Sequence, residues 1–277
     1  MTRDSGERSA GRAVVRTAAR SSEPDRYLSA LLAPQAACAD LIALAAFVGD
    51  IARIPLMVSD PMMGEIRLQW WRDALVTLRN GAATGNPIAD TVGTVIRAHA
   101  LPEELFLNII EGRSCDLNAR APMSETAIDT YFKDTEGAAF ELAAYILGIN
   151  GQPGVSELMS AAGQAYGRVR LLRFLPLTLA KGRVPGPLEG VLAGPDDDWV
   201  AGTAPMRHAI IRWLWQARCT ACTAPRAALP AILPLALVEP YLAALEGGGP
   251  NIVRQTADIS PLTRIWRLWW ANTLGRI

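Results

Sequence analysis

Apolar residues recur at three- and four-residue intervals through roughly 27–56, 61–79, 88–99, 103–118, 125–148, 156–181, 204–221, 226–245 and 261–275. That spacing lays one buried stripe along a helix, and the strict alternation of a half-buried strand is not sustained anywhere. Start signals agree with the periodicity. Asp60-Pro61 and Ser260-Pro261 each set a capping oxygen before a proline at the first helical position, where its missing N–H costs nothing. Pro102-Glu103-Glu104 brings carboxylates to a first turn, where they complement the positive end of the helix dipole. Gly81 to Pro87, Pro122, Gly148 to Gly154 and Gly247 to Pro250 read as short breaks, and 182–203 as the longest irregular stretch. With no repeat and no long linker, the pattern predicts one all-α domain of about nine helices over 25–277.

Composition narrows the picture. A chain of 277 residues that is 50% hydrophobic can bury a substantial core. Net formal charge is zero, which offers nucleic acid no electrostatic footprint. Only Lys133 and Lys181 are lysines among the 27 basic residues, a bias that suits a GC-rich genome better than a binding device. Cys38, Cys115, Cys219 and Cys222 are too scattered for a disulfide framework and suit a reducing compartment. No apolar run approaches a membrane span of about 20 residues; the longest, Ala227 to Val238, is broken by Pro230 and Pro234. The first 24 residues are polar and arginine-rich, and Asp4 and Glu7 argue against a transit peptide, so a disordered N-terminus is expected.

Candidate chemistry begins with four segments: Leu44-Ala-Ala-Phe47, Arg67-Leu-Gln-Trp-Trp-Arg-Asp73, Gly112-Arg-Ser-Cys-Asp-Leu117, and Leu171-Leu-Arg173 followed by Lys181-Gly-Arg-Val184. Together they resemble the squalene/phytoene synthases, which join two prenyl diphosphates. The resemblance runs from about Arg26 to Leu245 and implies a large helical bundle of the isoprenoid-synthase type with a central cavity. It also implies two aspartate-rich helical motifs, since carboxylates at i and i+4 share one helix face and hold Mg2+ against a diphosphate. Here the first motif's aspartate positions carry Ala52, Arg53 and Leu56, and the second's carry Phe174 and Thr178. Arg170 stands at the second motif's asparagine, and Arg173 keeps its arginine. Gly49 stands where the family has a further arginine.

No Asp-x-x-x-Asp pair occurs anywhere in the chain. The resemblance therefore points to a fold without its usual reaction, with no catalytic residue, metal or cofactor expected. Acidic side chains converging from opposing helices into the hollow would overturn that reading. Phe47-Val-Gly-Asp-Ile-Ala-Arg53 and the segment from Pro61 to Asp73 further resemble a branch of the family related to a respiratory complex I assembly factor. That implies a non-catalytic role in assembling NADH:quinone oxidoreductase, with a complex I subunit or assembly intermediate as partner and a lipid or isoprenoid in the cavity. The expected location is the bacterial cytoplasm against the inner membrane, or else the mitochondrial matrix. The alternative is a head-to-head prenyltransferase using Mg2+. Arg53, Arg67, Asp116, Arg170 and Arg173 are the candidate pocket or phosphate-binding residues, because guanidinium binds phosphate oxygens bidentately.

Several other features carry blander expectations. Trp70 and Trp71 point about 100° apart on a helix, so at least one belongs to the core. Arg67 and Arg72 are placed to pair with Glu65 and Asp73, and Asp116 either lines the pocket or pairs with an arginine. Glu125 and Asp129 suit a helix start, Asp196-Asp197-Asp198 a solvated turn, and Cys219-x-x-Cys222 lacks the second pair that zinc needs. His99 and His208 have no catalytic partners. In Pro261–Trp270, tryptophans alternate with Arg264 and Arg267 as in an interfacial helix, while Ile265, Leu268 and Trp269 could instead complete the core. Both hold if Trp266 and Trp270 stay exposed.

Overall fold

A computed structural model describes residues 2–117, 123–189, 199–247 and 256–277. Among them every regular element is helical. The long helices are α1 (Thr2–Ser22), α3 (Gln35–Met57), α4 (Pro61–Arg79), α9 (Val155–Leu179) and α10 (Trp199–Ala221). Shorter ones are α2 (Pro24–Leu31), α5 (Pro87–His99), α6 (Glu103–Cys115), α7 (Glu125–Phe132), α8 (Ala138–Ile146), α11 (Leu229–Ile232), α12 (Val238–Gly247) and α13 (Pro261–Leu274). The expected caps form: Asp60 accepts from the Met62 N–H at 2.9 Å and Ser260 from the Thr263 N–H at 3.1 Å.

Two helices form the middle of the bundle, each buried on every side over nine consecutive residues. In α3 every residue from Leu41 to Gly49 is buried, and in α9 every residue from Ala161 to Val169; only a helix surrounded by neighbours tolerates that. Phe47 of α3 meets the rings of Trp71 and Phe106 edge-on, each at 5.1 Å between centroids. Trp71 is thus the core tryptophan, its indole N–H donating to Asp50 at 3.0 Å, while Trp70 is exposed.

The structure departs from the expected elements in four places. The N-terminal segment is the helix α1, whose Val15 and Ala19 are buried in the core, so the disorder expected over 1–24 is corrected for the described residues. Pro34 separates α2 from α3 within the run read as 27–56. The run 226–245 divides into two 3-10 turns and helices α11 and α12, because Pro230 and Pro234 withhold the N–H that a continuous helix needs. Although Arg226–Gly247 is long and apolar enough to cross a membrane by composition, Leu233, Leu235, Leu237 and Val238 are wholly buried in the bundle.

The fourth departure sets up the site. The run 125–148 is interrupted by a π-turn, Lys133–Gly137, between α7 and α8. The extra residue rotates Thr135 and Glu136 inward, and both are buried. Helix α9 closes on this turn through glycine. A Cβ at Gly163 would lie 2.4 Å from the Gly137 backbone, and one at Gly167 would lie 3.0 Å from the Glu136 side chain. We expect Gly163→Val to destabilise the protein by about 2–3 kcal/mol in urea denaturation, since backbone cannot yield as a side-chain tip can; an unchanged midpoint would contradict this close packing.

Candidate functional site

A cavity of about 480 Å3 opens between the C-terminal turns of α3 and α9. Ala52, Arg53 and Leu56 line it from α3; Arg170, Arg173, Phe174 and Thr178 line it from α9. The helix positions that the sequence reading marked as emptied of aspartate therefore do face one hollow. Its walls also include Pro55, Met57, Phe132, Leu171 and Leu177, so much of the surface is apolar. Arg183 lies at one edge and donates to the carbonyls of Pro55 at 2.6 Å, Val58 at 3.1 Å and Ser59 at 3.0 Å. It thereby satisfies carbonyls left over where α3 ends.

Carboxylates do converge on this hollow from different elements, contrary to the expectation of a hollow without them, so the metal-free reading rests on whether their oxygens are free. Asp116, Glu136 and Asp258 line it, and Glu23 and Asp25 are buried beside their arginine partners. Each is held by guanidinium. Glu136 pairs with Arg26 at 2.8 Å, Arg113 at 2.9 Å and Arg170 at 3.3 Å. Glu23 pairs with Arg26 at 3.2 Å and also with Arg170. Asp25 meets Arg264 at 2.8 Å and Arg173 at 3.8 Å, and accepts from the Tyr166 and Tyr241 hydroxyls. Asp258 bridges Arg173 at 3.0 Å and Arg264 at 2.8 Å. Asp116 takes Arg113 at 3.1 Å and the Tyr131 hydroxyl at 2.9 Å.

The charge states follow from this pairing. Burial alone would raise the Glu136 carboxyl, but Arg170, Arg26 and Arg113 outweigh it and hold the group at about 2. Burial pushes Tyr131 and Tyr166 up, so both hydroxyls stay protonated and donate to carboxylates. Burial opposes the charged forms of Arg26 and Arg113, and their anionic neighbours more than reverse it. Among the described residues no group of three His, Cys, Asp or Glu could hold a metal ion. Carboxylates saturated by fixed cations do not suit Mg2+, which needs free oxygens in octahedral array.

Gly49 explains how the network reaches α3. A Cβ there would lie 2.0 Å from Ser22 Oγ and 3.0 Å from the Glu23 side chain. The space that the family resemblance assigns to an arginine is occupied by the α1–α2 junction, which delivers Glu23 and Asp25. The candidate residues thus have unequal surroundings. Arg170 and Arg173 line the cavity with their charges engaged, and Asp116 is both cavity-lining and arginine-paired. Arg53 is exposed at the cavity and, with Lys181, has no described ion pair. Arg67 lines an adjoining hollow of about 220 Å3 with Asp50, Trp70 and Asn86, and Arg53 and Met57 line both hollows. Its placement with the main cavity is corrected, and it makes no ion pair to Glu65 or Asp73 among the described residues, whereas the expected pair of Arg72 with Glu65 forms at 3.9 Å beside a shorter one to Glu111 at 2.8 Å. Residue 67 lies on the exposed face of α4, which the sequence pattern could not orient.

The remaining candidates lie apart from the hollow. Asp129 pairs with Arg168, Cys219 and Cys222 are free and exposed, and His99 meets Asp40 at 2.8 Å. Asp196, Asp197 and Asp198 lie outside the described residues.

The squalene/phytoene synthase family pattern matches residues 19–266. The chain belongs to that family. This synthase-family chain is 27% identical over 170 residues to NADH dehydrogenase (ubiquinone) complex I, assembly factor 6 of Rattus norvegicus, covering 61% of this chain and 51% of that protein. It is 26% identical over 157 residues to the Homo sapiens protein of that name, covering 57% and 47%. The chain spans about half the length of the curated relatives it matches. Among solved structures it is similar to a squalene synthase, HpnC, from Alicyclobacillus acidocaldarius, with TM-score 0.70 and 21% identity over 88% of this chain and 95% of that one. A dehydrosqualene synthase solved with a ligand gives TM-score 0.77 at 12% identity over 97% and 98%. These likenesses show the isoprenoid-synthase fold.

Glu136 is expected to dominate the acid sensitivity of the fold. Its folded pKa lies below the ordinary 4.5, so its stabilisation is complete above about pH 5 and is lost as pH falls from there towards 2. Glu136→Gln should cost about 3–5 kcal/mol at pH 7, because it leaves buried arginines uncompensated. It should also flatten the dependence of urea-unfolding free energy on pH below 5. A wild-type curve already flat in that range would refute the assignment.

Proposed function

We propose that this protein is a non-catalytic member of its family that acts in assembly of respiratory complex I, with its hollow holding an anionic lipid or isoprenoid. One observation carries the loss of catalysis. The two helices that face each other across the cavity present Ala52, Arg53 and Leu56 against Phe174 and Thr178, and the nearby carboxylates are committed to arginine. Fixed cations can hold a diphosphate, but they replace divalent ions poorly at a departing pyrophosphate. The likeness to the complex I assembly factor 6 proteins supports the assembly role. Apolar walls beside Arg53 and Lys181, which have no ion pair among the described residues, support an amphiphile with a negative head. The prenyltransferase alternative draws on the synthase-like fold and the cavity's size.

Purified protein given farnesyl or geranylgeranyl diphosphate with Mg2+ should yield no C30 or C40 hydrocarbon by gas chromatography. Turnover would favour the alternative. Deleting the gene in its host should lower assembled NADH dehydrogenase on native gels, with recovery on complementation, and normal assembly would refute the role. Farnesyl thiodiphosphate should bind equally with and without EDTA, and about tenfold more weakly to Arg53→Glu/Lys181→Glu. A requirement for Mg2+ would contradict the metal-free site.

A further inference from the structure

Helix α13 has two unlike faces. Arg264, Leu268 and Ala271 turn inward, and Arg264 fixes the helix to the body through Asp25, Asp258 and the Tyr241 hydroxyl. The outer face carries Leu262, Ile265, Trp266, Trp269, Trp270 and Leu274, with Leu262 79% and Trp266 59% exposed. Ile265 and Trp269 are therefore surface residues, and only Leu268 of the three core candidates is buried. The tryptophans gather into one patch. Trp266 stacks on Trp270 at 5.7 Å between centroids, and Trp269 lies 5.5 Å from Trp266 and 6.3 Å from Trp270.

We propose that this outer face of α13 is a docking surface for a bilayer bearing anionic lipid. Tryptophan suits the headgroup boundary because its ring is apolar and its N–H can still find water or a lipid oxygen. The outward charge of α13 itself is positive, and the neighbouring face holds Glu239, close enough for Arg267 to favour its carboxylate form. From Ile259 to Ile277 the sequence holds Arg264, Arg267 and Arg276 and no carboxylate side chain. Arg267, next to Trp266 in sequence, and Arg276, just past the end of α13, are exposed. The nearby Glu239 is engaged by Arg218 at 2.7 Å. Anionic headgroups complement that arrangement, and apolar rings with flanking arginines form an interfacial helix. A second copy fits less well, because a two-fold contact would set Arg267 and Arg276 against like charges. Arg264 lines the cavity from the same helix whose far side carries the tryptophans, so the hollow would lie about one helix diameter, roughly 10 Å, from the lipid.

The full chain should float with phosphatidylcholine vesicles containing phosphatidylglycerol, with a blue shift in tryptophan emission, and should bind pure phosphatidylcholine weakly. Trp266→Glu/Trp270→Glu should abolish flotation with the melting temperature unchanged. Arg267→Ala/Arg276→Ala, which leaves the rings in place, should weaken binding to anionic vesicles by about thirtyfold, and added salt should weaken wild-type binding in the same direction. Flotation of the tryptophan variant at the wild-type level would overturn the proposal. So would absence of vesicle binding in a wild-type protein that sediments as a dimer and becomes monomeric in that variant. These readouts require no complex I phenotype, so they can fail or succeed independently of the assembly role.

Discussion

The ion pairs of Glu136 govern how this bundle is put together. One carboxylate, rotated inward by a π-turn, receives guanidiniums from α2, α6 and α9. Those partners lie 110, 23 and 34 residues away along the chain. Such a cluster is worth little as raw stabilisation, because desolvation offsets most of its attraction. Its effect is on arrangement: a buried carboxylate with one partner missing is expensive, so the elements that carry the partners must arrive together. The glycines of α9 make this possible by letting that helix approach the turn closely.

The same network decides what the cavity can do. In a synthase-like bundle the chemistry depends on carboxylates with oxygens to spare. Here the oxygens of Asp25, Glu136 and Asp258 are spent on arginine, and the motif positions offer methyl, phenyl, hydroxyl and guanidinium groups instead. The hollow keeps its apolar walls and some positive charge, the features on which the proposed binding of an anionic amphiphile rests. Fold and reaction are separable for this reason: the helices depend on buried apolar faces, whereas the reaction depends on a handful of polar positions.

Much of the architecture was legible because helical periodicity and capping are local. Asp60, Ser260 and the stripes of α4 and α5 declare themselves within a few residues. Ala52, Arg53, Leu56, Phe174 and Thr178 could be placed across one hollow because the family resemblance fixed their register. The ion network was not legible. Glu23, Asp25, Glu136 and Asp258 follow no common spacing, and Asp25 finds Tyr166 and Tyr241 across 141 and 216 residues. The π-turn likewise leaves no mark in the apolar pattern, since it shifts the face by one residue without breaking the helix. Arg67 was misplaced for a related reason: a conspicuous motif shows which residues go together, but not which way a helix turns them. The N-terminal helix was missed because its polar surface hides a narrow contact made by Val15 and Ala19.

The tenancy of Gly49 bears on what the first motif helix can accept. With Ser22 and Glu23 resting where a side chain would stand, the first metal-motif helix has lost its room for an arginine. Aspartates placed at 52, 56, 174 and 178 would share the hollow with Arg113, Arg170 and Arg173 and meet guanidinium before any divalent ion.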